Sequence, residues 1–426
     1  MHSAFIPTKN DVIVIGGGAA GLMAAYFAAA NGAKTLLIEK NEKLGKKIYI
    51  TGKGRCNVTN DTPDHEEFLR HVMRNPRFLY GALKHFSPQD MQALLEQLGC
   101  PVKVERGRRV FPVSDKASDV TRALESGVRS MGGSIRLSTE VKELLCEGDA
   151  IRGVLLKDGT RLEAAAVIVC TGGLSYPSTG STGDGYRFAK ETGHQLMPTS
   201  PSLTGLNTTE NWPSALEGLS LKNIGLTCTR GQKVLYKEQG EMLFTHYGIS
   251  GPLVLQLSSM LAGEDLKDVR ILLDLKSALT NEQLDERLQR EIRENGARQF
   301  DNMLKNLLPQ RMAELFPGLC GIDGTEKCGQ ISLEKRRTLL TMLKALPLTP
   351  ASLRGYNEAV VTRGGVSVKD VSPRDCQSKL IRGLYFAGEV LDLDAHTGGY
   401  NLQIAFSTAA LAGENAALQA LMTREA

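Results

Sequence analysis

The sequence predicts an α/β protein in which one domain is assembled from both ends of the chain and a β-rich domain is inserted between them. Near the start, an apolar strand runs into a glycine-rich turn and an alanine-rich helix. Near the end, another strand runs into Gly388 and an apolar helix follows. After Gly193 the alternation of strands and helices stops, and short strands with turn residues follow. Alternation is typical of a parallel sheet, and short strands with turns are typical of an antiparallel one.

Composition is that of an ordinary globular protein. The 426 residues are 42% hydrophobic and 23% charged, and this length predicts two or three domains. The net charge of +4 permits an anionic partner without requiring one. The eight cysteines form no CxxC pair and no metal-ligand spacing, which indicates reduced thiols and no metal site. The opening "MHSAFIPTKN" lacks the apolar core of a signal peptide, and no apolar run approaches the length of a membrane span. We therefore expect a cytoplasmic protein.

The first motif is a dinucleotide-binding fingerprint. "DVIVIGGGAAGLMAAYFAAANGAKTLLIEK" places Gly16, Gly18 and Gly21 between a strand and a helix, and Glu39 follows Gly21 by 18 residues at the end of the next strand. Such glycines permit a tight turn, close approach to a pyrophosphate and close helix packing, while the acid binds a ribose. The helix start supplies free N–H groups to the anion. The unit predicts a Rossmann-like fold.

Two later segments decide between NAD and FAD, which the first motif leaves open. "VCTGGLSYPSTGSTGDG" follows a strand with Thr171, and "FAGEVLDLDAHTGGYNLQIA" follows another with Glu389 and Asp392. A carboxylate there would bind the ribityl chain, and the positive start of the last helix, from Tyr400 to Ile404, would face the flavin edge that becomes negative on reduction. An enzyme that used only NAD would not need a cofactor site closed by its own C-terminal segment. The sequence therefore predicts FAD, bound non-covalently.

The stretch "KLGKKIYITGKGRCNVTN", residues 43–60, carries five basic residues and three glycines. It follows the second strand, where an extended FAD would run from pyrophosphate to isoalloxazine. Its glycines would let the backbone approach the cofactor, and Lys46 or Arg55 would offset phosphate charge. Cys56 and Asn57 would lie near the redox end. The alternative is a solvated basic loop with a buried cysteine.

The predicted cofactor contacts are drawn from all of these segments. They are Gly16, Gly18, Ala19, Ala20, Gly21, Glu39, Lys40, Lys46, Gly52, Gly54, Arg55, Asn57, Val141, Thr171, Gly172, Gly173, Gly388, Glu389, Asp392, Gly398, Gly399, Asn401 and Leu402.

Four motifs carry a resemblance to a known family. "TGKGRCNVTN", "LFTHYGISGP", "TRGGVSVKDV" and "LDLDAHTGGYNLQIAFSTA" together resemble the BaiN/RdsA-type NAD(P)/FAD-dependent oxidoreductases of bacteria, over nearly the whole chain. The resemblance implies an FAD domain built from both chain ends, with an inserted β-barrel-like domain that carries a helical subdomain. It also implies one of several activities: reduction of uridine to dihydrouridine in 23S ribosomal RNA, reduction of bile-acid intermediates, or oxidation of aminoacetone. Two residues depart from the family pattern: Lys53 stands where many members have Gly, and Ala395, which His396 follows, stands where a Gly often precedes the T-G-G turn.

The expected domain boundaries combine this resemblance with the strand and helix patterns. Residues 1–197 and 373–426 form the FAD-binding domain, 198–278 and 346–372 the inserted β-rich domain, and 279–345 the helical subdomain. The helical stretch alternates Glu and Arg, which predicts a solvated face with ion pairs.

The candidate catalytic residues are Cys56, His246 and His396. Reducing the C5=C6 bond of uracil needs a hydride at C6 and a proton at C5, and a thiol whose pKa is lowered by Arg55 and Lys53 would be a reasonable acid. The alternative for Cys56 is a small buried residue among glycines. For each histidine the alternative is a structural hydrogen bond.

Basic residues suggest a partner. "KVERGRR", residues 103–109, adds four cations to the five of residues 43–60, and such a concentration suits RNA phosphates, although some of it must serve FAD. We expect an FAD reductase that takes hydride from transiently bound NAD(P)H, since the chain has no second glycine fingerprint, and reduces uridine in ribosomal RNA. The alternatives are a small-molecule flavoenzyme, reducing a steroid enone or oxidising an amine, and a non-catalytic flavin-bearing RNA-binding or redox-sensing protein.

Overall fold

The computed structural model describes residues 10–425 and divides the chain into two compact units. One unit contains the residues up to Ser202 together with those from Gly355 onward, and the other is Leu203–Arg354. The first unit is thus built from both chain ends. The expected division of the chain into five segments, which separates a helical subdomain at residues 279–345 from the β-rich domain, stays a prediction. The expectation about "MHSAFIPTK" lies outside the described residues.

The first unit begins with seventeen elements. They are β1 Asn10–Ile15, α1 Ala19–Ala30, β2 Thr35–Ile38, α2 Lys46–Ile50, β3 Thr59–Asn60, α3 His65–Leu69, α4 Pro76–His85, α5 Pro88–Gln97, β4 Val102–Glu105, β5 Arg109–Pro112, α6 Ala117–Ser130, β6 Ser134–Arg136, β7 Val141–Glu147, β8 Ala150–Leu156, β9 Arg161–Val169, α7 Asp184–Glu191 and β10 Leu196–Ser202.

The second unit follows, and the chain then returns to the first. The elements of the second unit are β11 Leu206–Thr208, β12 Ser220–Arg230, β13 Lys233–Thr245, β14 Gly248–Ser250, α8 Pro252–Leu261, β15 Val269–Asp274, α9 Asn281–Glu294, α10 Phe300–Leu304, α11 Gln310–Cys320, α12 Leu333–Lys344, β16 Leu346–Leu348 and β17 Pro350–Leu353. The returning elements are β18 Val361–Val366, β19 Leu384–Phe386 and α13 Tyr400–Glu425. Short 3-10 turns lie at Thr51–Gly54, Pro177–Thr179, Trp212–Leu216, Cys328–Gln330, Val368–Asp370 and Gly388–Val390.

A parallel sheet forms the centre of the first unit. Its strands run in the order β6-β2-β1-β9-β19, and β8 and β7 continue from β9 as antiparallel strands. β1 is completely buried between β2 and β9, with Ile13 opposite Leu36 on one side and Val167 on the other. A strand covered on both faces reads as a continuous apolar run. The carboxyl ends of β1, β9 and β19 therefore lie side by side.

Small side chains let the first and last helices pack closely. Nine of the twelve residues of α1 are buried, most of them alanine. A Cβ added at Gly413 in α13 would lie 2.4 Å from the Ala24 carbonyl oxygen of α1, so only glycine allows this approach. The C-terminal segment is thus an integral part of the core of the first unit.

No helix within residues 10–425 is long and apolar enough to cross a bilayer.

The second unit is an antiparallel sheet with helices. The strand order is β16-β15-β12-β13-β14-β11-β17, and within residues 203–354 the two edge strands do not pair, so the sheet stays open. The longest strand, β13, pairs with β12 on one side and with β14 on the other. Only Leu284 and Leu288 of α9 are buried, and Arg336 pairs with Asp285 at 2.9 Å. The helical stretch thus has the predicted solvated face with ion pairs.

Candidate functional site

The glycine turn after β1 has the geometry that its spacing predicts. Gly16 has φ +100°, and a Cβ there would lie 2.6 Å from the Cys170 carbonyl oxygen at the end of β9. A Cβ at Gly21 would lie 1.6 Å from the Gly16 carbonyl oxygen, so α1 touches the turn. A Cβ at Gly18 would meet no heavy atom within 4 Å. Space is therefore open at Gly18, where α1 begins with Ala19 and Ala20.

Glu39 lies beside this turn. Its side chain is buried, and Oε2 accepts the Gly17 N–H at 2.6 Å. Oε1 accepts from both the backbone and the side-chain amide of Asn41, each at 2.7 Å. The carboxylate is thus held next to the helix start, where the fingerprint places a ribose-binding acid.

The second and third glycine segments meet the first one. The Cys170 N–H donates to the Ile15 carbonyl at 2.8 Å, which puts Thr171, Gly172 and Gly173 next to the turn. Gly388 has φ +80°, and a Cβ there would lie 2.7 Å from Cβ of Ala20. The structure therefore brings together the three segments that the sequence predicts to hold FAD.

Glu389 lies in a polar cluster with a lysine. Its Oε1 accepts from the Ser175 hydroxyl at 2.6 Å and from the Thr362 N–H at 2.9 Å, and Oε2 pairs with Lys47 Nζ at 2.6 Å. The sequence favours Lys46, but Lys46 pairs with Glu42 at 2.8 Å and donates to the Asn41 side-chain oxygen at 3.2 Å. Lys47 is the lysine that reaches the late glycine segment, and sequence reasoning missed it.

Asp392 is buried in a clamp formed by a distant segment. Arg74 donates to it from Nε at 2.8 Å and from Nη2 at 3.0 Å, and the side-chain amide of Asn75 bonds both its backbone carbonyl and its carboxylate. The hydrogen bonds with Arg74 and Asn75 explain why a carboxylate can be buried at this position. The predicted contact of Asp392 with the ribityl chain stays a prediction.

The basic loop has an unusual backbone. Gly52, Lys53, Gly54 and Cys56 have φ of 55°, 58°, 87° and 61°, a left-handed region that non-glycine residues rarely adopt. Cys56 is completely buried, and its N–H donates to the Thr51 carbonyl at 3.0 Å. The loop is thus tightly wound around the thiol.

The predicted acidity of Cys56 is wrong in direction. Burial raises the pKa of the thiol to about 12, and a hydrogen bond with Thr51 offsets this only in part. Arg55 does not lower it, because its guanidinium lies over the Phe111 ring and pairs with Glu105 and Asp115. The thiol therefore keeps its proton at neutral pH.

The turn before the last helix is packed against the end of the basic stretch. A Cβ at Gly399 would lie 2.3 Å from the Thr59 carbonyl oxygen. The Asn60 amide donates to the Gly398 carbonyl at 3.0 Å, and Asn401 bonds both the N–H and the carbonyl of Ala395. The stretch that contains Cys56 thus runs directly to the start of α13, as a shared cofactor site requires.

His396 has a histidine neighbour that sequence reasoning missed. Its Nδ1 lies 3.4 Å from Nδ1 of His71, and the His71 ring stacks on Tyr400 with 4.3 Å between ring centres. Burial lowers the pKa of His396, and the proximity of His71 lowers it further. The ring is therefore neutral at pH 7.

His246 belongs to the second unit, where it is exposed and lies 3.2 Å from Glu217. The catalytic roles of both histidines stay predictions.

A second buried carboxylate was not predicted. Asp394 is fully buried, its Oδ2 accepts a long hydrogen bond of 3.4 Å from Ser202, and Oδ1 has no partner among the described residues. Burial raises its pKa to about 6, although Arg363 and Arg74 oppose this. It lies between Asp392 and His396 in the predicted flavin segment.

The remaining predicted contacts lie at other places in the first unit. Lys40 pairs with Asp184 at 2.6 Å, Val141 is buried opposite Leu156 at the start of β7, and Leu402 is partly buried against the core. For these three residues, binding of the cofactor stays a prediction.

Residues of the first unit fit FAD. Asn57 Oδ1 and Thr171 Oγ1 are buried and have no hydrogen-bond partner among the described residues. Buried polar atoms are nearly always bonded, so two such atoms in predicted cofactor segments fit a polar ligand. The open space at Gly18 and the carboxylate of Glu39 fit a dinucleotide. Within residues 10–425 no cluster of three or more His, Cys, Asp or Glu side chains could hold a metal ion.

Comparisons with known proteins show the family of this chain and support its fold. The family model described as HI0933-like protein Rossmann domain matches residues 10–415. The ribosomal RNA dihydrouridine synthase of Haemophilus influenzae is 32% identical over 406 residues, which cover 94% of this chain and 96% of that protein. The 3-dehydro-bile acid delta(4,6)-reductase of Clostridium scindens is 31% identical over 412 residues, 96% of this chain and 99% of that protein. The structure of 3-ketosteroid-delta4-(5alpha)-dehydrogenase from Rhodococcus jostii aligns with a TM-score of 0.54 at 15% identity, covers 98% of each chain and supports the fold alone.

Fold, site and relatives define the class of protein: it is an FAD-dependent oxidoreductase with a Rossmann-like cofactor domain. More particularly, the chain belongs to the HI0933-like Rossmann family. The predicted resemblance and the predicted fold class are therefore confirmed.

Proposed function

We propose that the protein uses NAD(P)H to reduce uridine to dihydrouridine in ribosomal RNA, with 23S RNA as the expected molecule. The observation that carries the proposal is the similarity to a ribosomal RNA dihydrouridine synthase over 94% of this chain. Action on ribosomal RNA would take place in the cytoplasm.

The overall reaction adds two electrons and two hydrogens to one bond. C6 of uracil receives a hydride and C5 receives a proton, while NAD(P)H becomes NAD(P)⁺. FAD, when bound without a covalent link, would supply the hydride-transfer chemistry. Since the sequence has a single glycine fingerprint, NAD(P)H would bind transiently rather than on a second Rossmann unit.

Different residues of the first unit would contact different parts of FAD. Gly16, Gly18 and Gly21 would place the start of α1 against the pyrophosphate, and Glu39 would bind the ribose. Lys47 and Glu389 would hold the late glycine segment in place, since each side chain is the ion partner of the other. Asn57 would offer a carbonyl oxygen that has no partner in the described protein.

Cys56 is the proposed proton donor. Burial raises the pKa of its thiol, so the group is protonated at neutral pH but is a weaker acid than a free thiol, and the proposal rests on its place in the loop that the sequence predicts to run along FAD. Cys56→Ala should leave FAD bound and reducible by NAD(P)H, while dihydrouridine formation falls by about 10²–10⁴, the usual contribution of a positioned general acid. Normal turnover by this variant would remove the thiol from the reaction.

A small-molecule reductase is the second candidate, because the bile-acid reductase of Clostridium scindens is almost equally similar, at 31% identity. Mapping dihydrouridine in ribosomal RNA from a deletion strain separates the two. Loss of one modified position, restored by the wild-type gene, supports the proposed function. An unchanged modification pattern would contradict it and favour the small-molecule substrate.

A further inference from the structure

A hairpin of the first unit carries an exposed arginine-rich turn. β4 and β5 pair with Glu105 opposite Arg109, which leaves Arg106, Gly107 and Arg108 as the loop. Gly107 and Arg108 have φ of 76° and 57°, and all residues from Arg106 to Arg109 are exposed. Three-residue hairpin loops commonly place residues in this left-handed region. The turn thus presents three guanidinium groups within four residues.

Most of the basic residues around this hairpin are neutralised by carboxylates. Lys103 pairs with Asp115 at 2.8 Å and Arg108 with Glu67 at 2.8 Å. Arg55 is paired with Glu105 and Asp115. The charge concentration that the sequence suggests is therefore much smaller in the structure than a count of residues indicates.

Two cations of the turn, Arg106 and Arg109, have no carboxylate partner within the described part of the chain. Arg109 donates from Nε only to the Arg106 carbonyl, at 3.0 Å. Among the residues that the structure describes, the Arg106 guanidinium has no ion pair or hydrogen bond. An exposed cation without a partner creates a positive potential that attracts an anion.

The turn is fastened to the predicted flavin segment by one side chain. The Asn60 amide donates to the Gly107 carbonyl at 3.1 Å and to the Gly398 carbonyl at 3.0 Å. β3, which contains Asn60, also pairs with β5. The arginine turn and the glycine turn at the start of α13 are therefore neighbours, held at a fixed distance.

We propose that Arg106 and Arg109 contact the phosphate backbone of the RNA substrate and position its uridine at the neighbouring glycine turn. The inference rests on the proposed function and adds the surface that recognises the RNA. Phosphate contacts fix the register and orientation of a nucleic acid without reading its sequence. Arginine suits this role because its planar fork bonds phosphate oxygens in pairs.

The test compares two double variants that remove the same charge. Arg106→Ala with Arg109→Ala changes the turn, and Arg152→Ala with Arg161→Ala changes two exposed arginines on β8 and β9. Binding of purified holoenzyme to a transcribed fragment of 23S ribosomal RNA is measured at salt concentrations from about 50 to about 200 mM. Reduction of the bound flavin by NADPH is measured alongside.

The turn variant should bind RNA about tenfold more weakly, and the slope of log K against log salt should fall by about 1.4–1.8 for two lost phosphate contacts. Flavin reduction by NADPH should be unchanged, and the control variant should match the wild type. Equal RNA affinity in the two variants would overturn the proposal. A slower reduction by NADPH in the turn variant alone would overturn it too, and would assign the arginines to the nicotinamide nucleotide. A wild-type protein that neither binds nor modifies the RNA would refute the proposed function itself.

Discussion

Replacing Gly18 by valine should remove the cofactor and leave the fold intact. Gly18 has φ −83° and ψ −163°, an extended conformation that any residue adopts. Apart from its neighbours in the chain, no heavy atom of residues 10–425 lies within 4 Å of a Cβ placed there. The change in the free energy of unfolding should therefore stay within about 1 kcal/mol.

The same open space is what a pyrophosphate would need. A valine side chain would fill it and separate the anion from the N–H groups at the start of α1. Each lost hydrogen bond to a charged group is worth about 1.5–3 kcal/mol, so two lost bonds should weaken FAD binding at least about a hundredfold. The purified variant should be largely free of flavin.

The assay measures the flavin-to-protein ratio by absorbance and stability by thermal unfolding of the apo proteins. Gly318→Val is the matched control, because a Cβ at Gly318 in α11 also meets nothing within 4 Å, and it should retain its flavin. Gly21→Ala is the contrasting change: its Cβ would lie 1.6 Å from the Gly16 carbonyl oxygen, so it should destabilise the fold itself. A Gly18→Val protein that keeps its normal flavin content would refute the assignment of the fingerprint.

Three further changes test other parts of the site. Burial raises the pKa of Asp394 from its ordinary 3.8 to about 6, so the folded protein binds this proton more tightly and loses stability as the pH rises from 4 to 6. The free energy of unfolding of Asp394→Asn should therefore exceed that of the wild type above pH 6, by up to about 3 kcal/mol, and the two should be equal near pH 4. If thermal unfolding shows a difference that does not vary with pH, the reasoning is wrong. Glu39→Ala should raise the dissociation constant of FAD about ten- to a hundredfold without altering the redox chemistry of bound flavin, and an unchanged constant in a flavin titration would show that the acid has another role. Lys47→Met should lower the free energy of unfolding by about 1–3 kcal/mol, because it leaves the largely buried Glu389 without its cation. Lys46→Met should lower it by less than about 0.5 kcal/mol, because its partner Glu42 is mostly exposed. Equal effects of the two changes in denaturant unfolding would refute the distinction.

The fingerprint was predictable because its residues lie within one strand, turn and helix, so its spacing can be read from the sequence. Gly21 must be glycine because a Cβ would collide with the Gly16 carbonyl oxygen within the same turn, and Gly16 because a Cβ would collide with Cys170 beside the neighbouring strand β9. β1 and β2 are apolar runs because the sheet is covered on both faces. The four family motifs could be recognised from the sequence for the same reason, since each is a short segment with a fixed spacing.

Contacts between distant segments were not predictable. The segment 71–75 meets the segment 392–396 through Arg74 and Asp392, Met73 and Asp394, and His71 and His396. These pairs are more than 300 residues apart, and no periodicity links them. The choice between Lys46 and Lys47 has the same origin, because adjacent residues on a helix point in different directions and only the packing of α2 decides which one reaches Glu389.

By itself the sequence determined the fold class, the FAD cofactor and the family, because each depends on short motifs whose residue types and spacing can be read directly from the chain. Only the tertiary structure decided the electrostatics. Five of the nine cations in the two basic stretches are paired with a carboxylate, and among the described residues Lys43, Lys53, Arg106 and Arg109 are not. Cys56, which its sequence neighbours suggest is acidified, has its pKa raised to about 12, because the free energy of a charge depends on the solvent and partners that surround it in space and not on the residues that adjoin it in the chain.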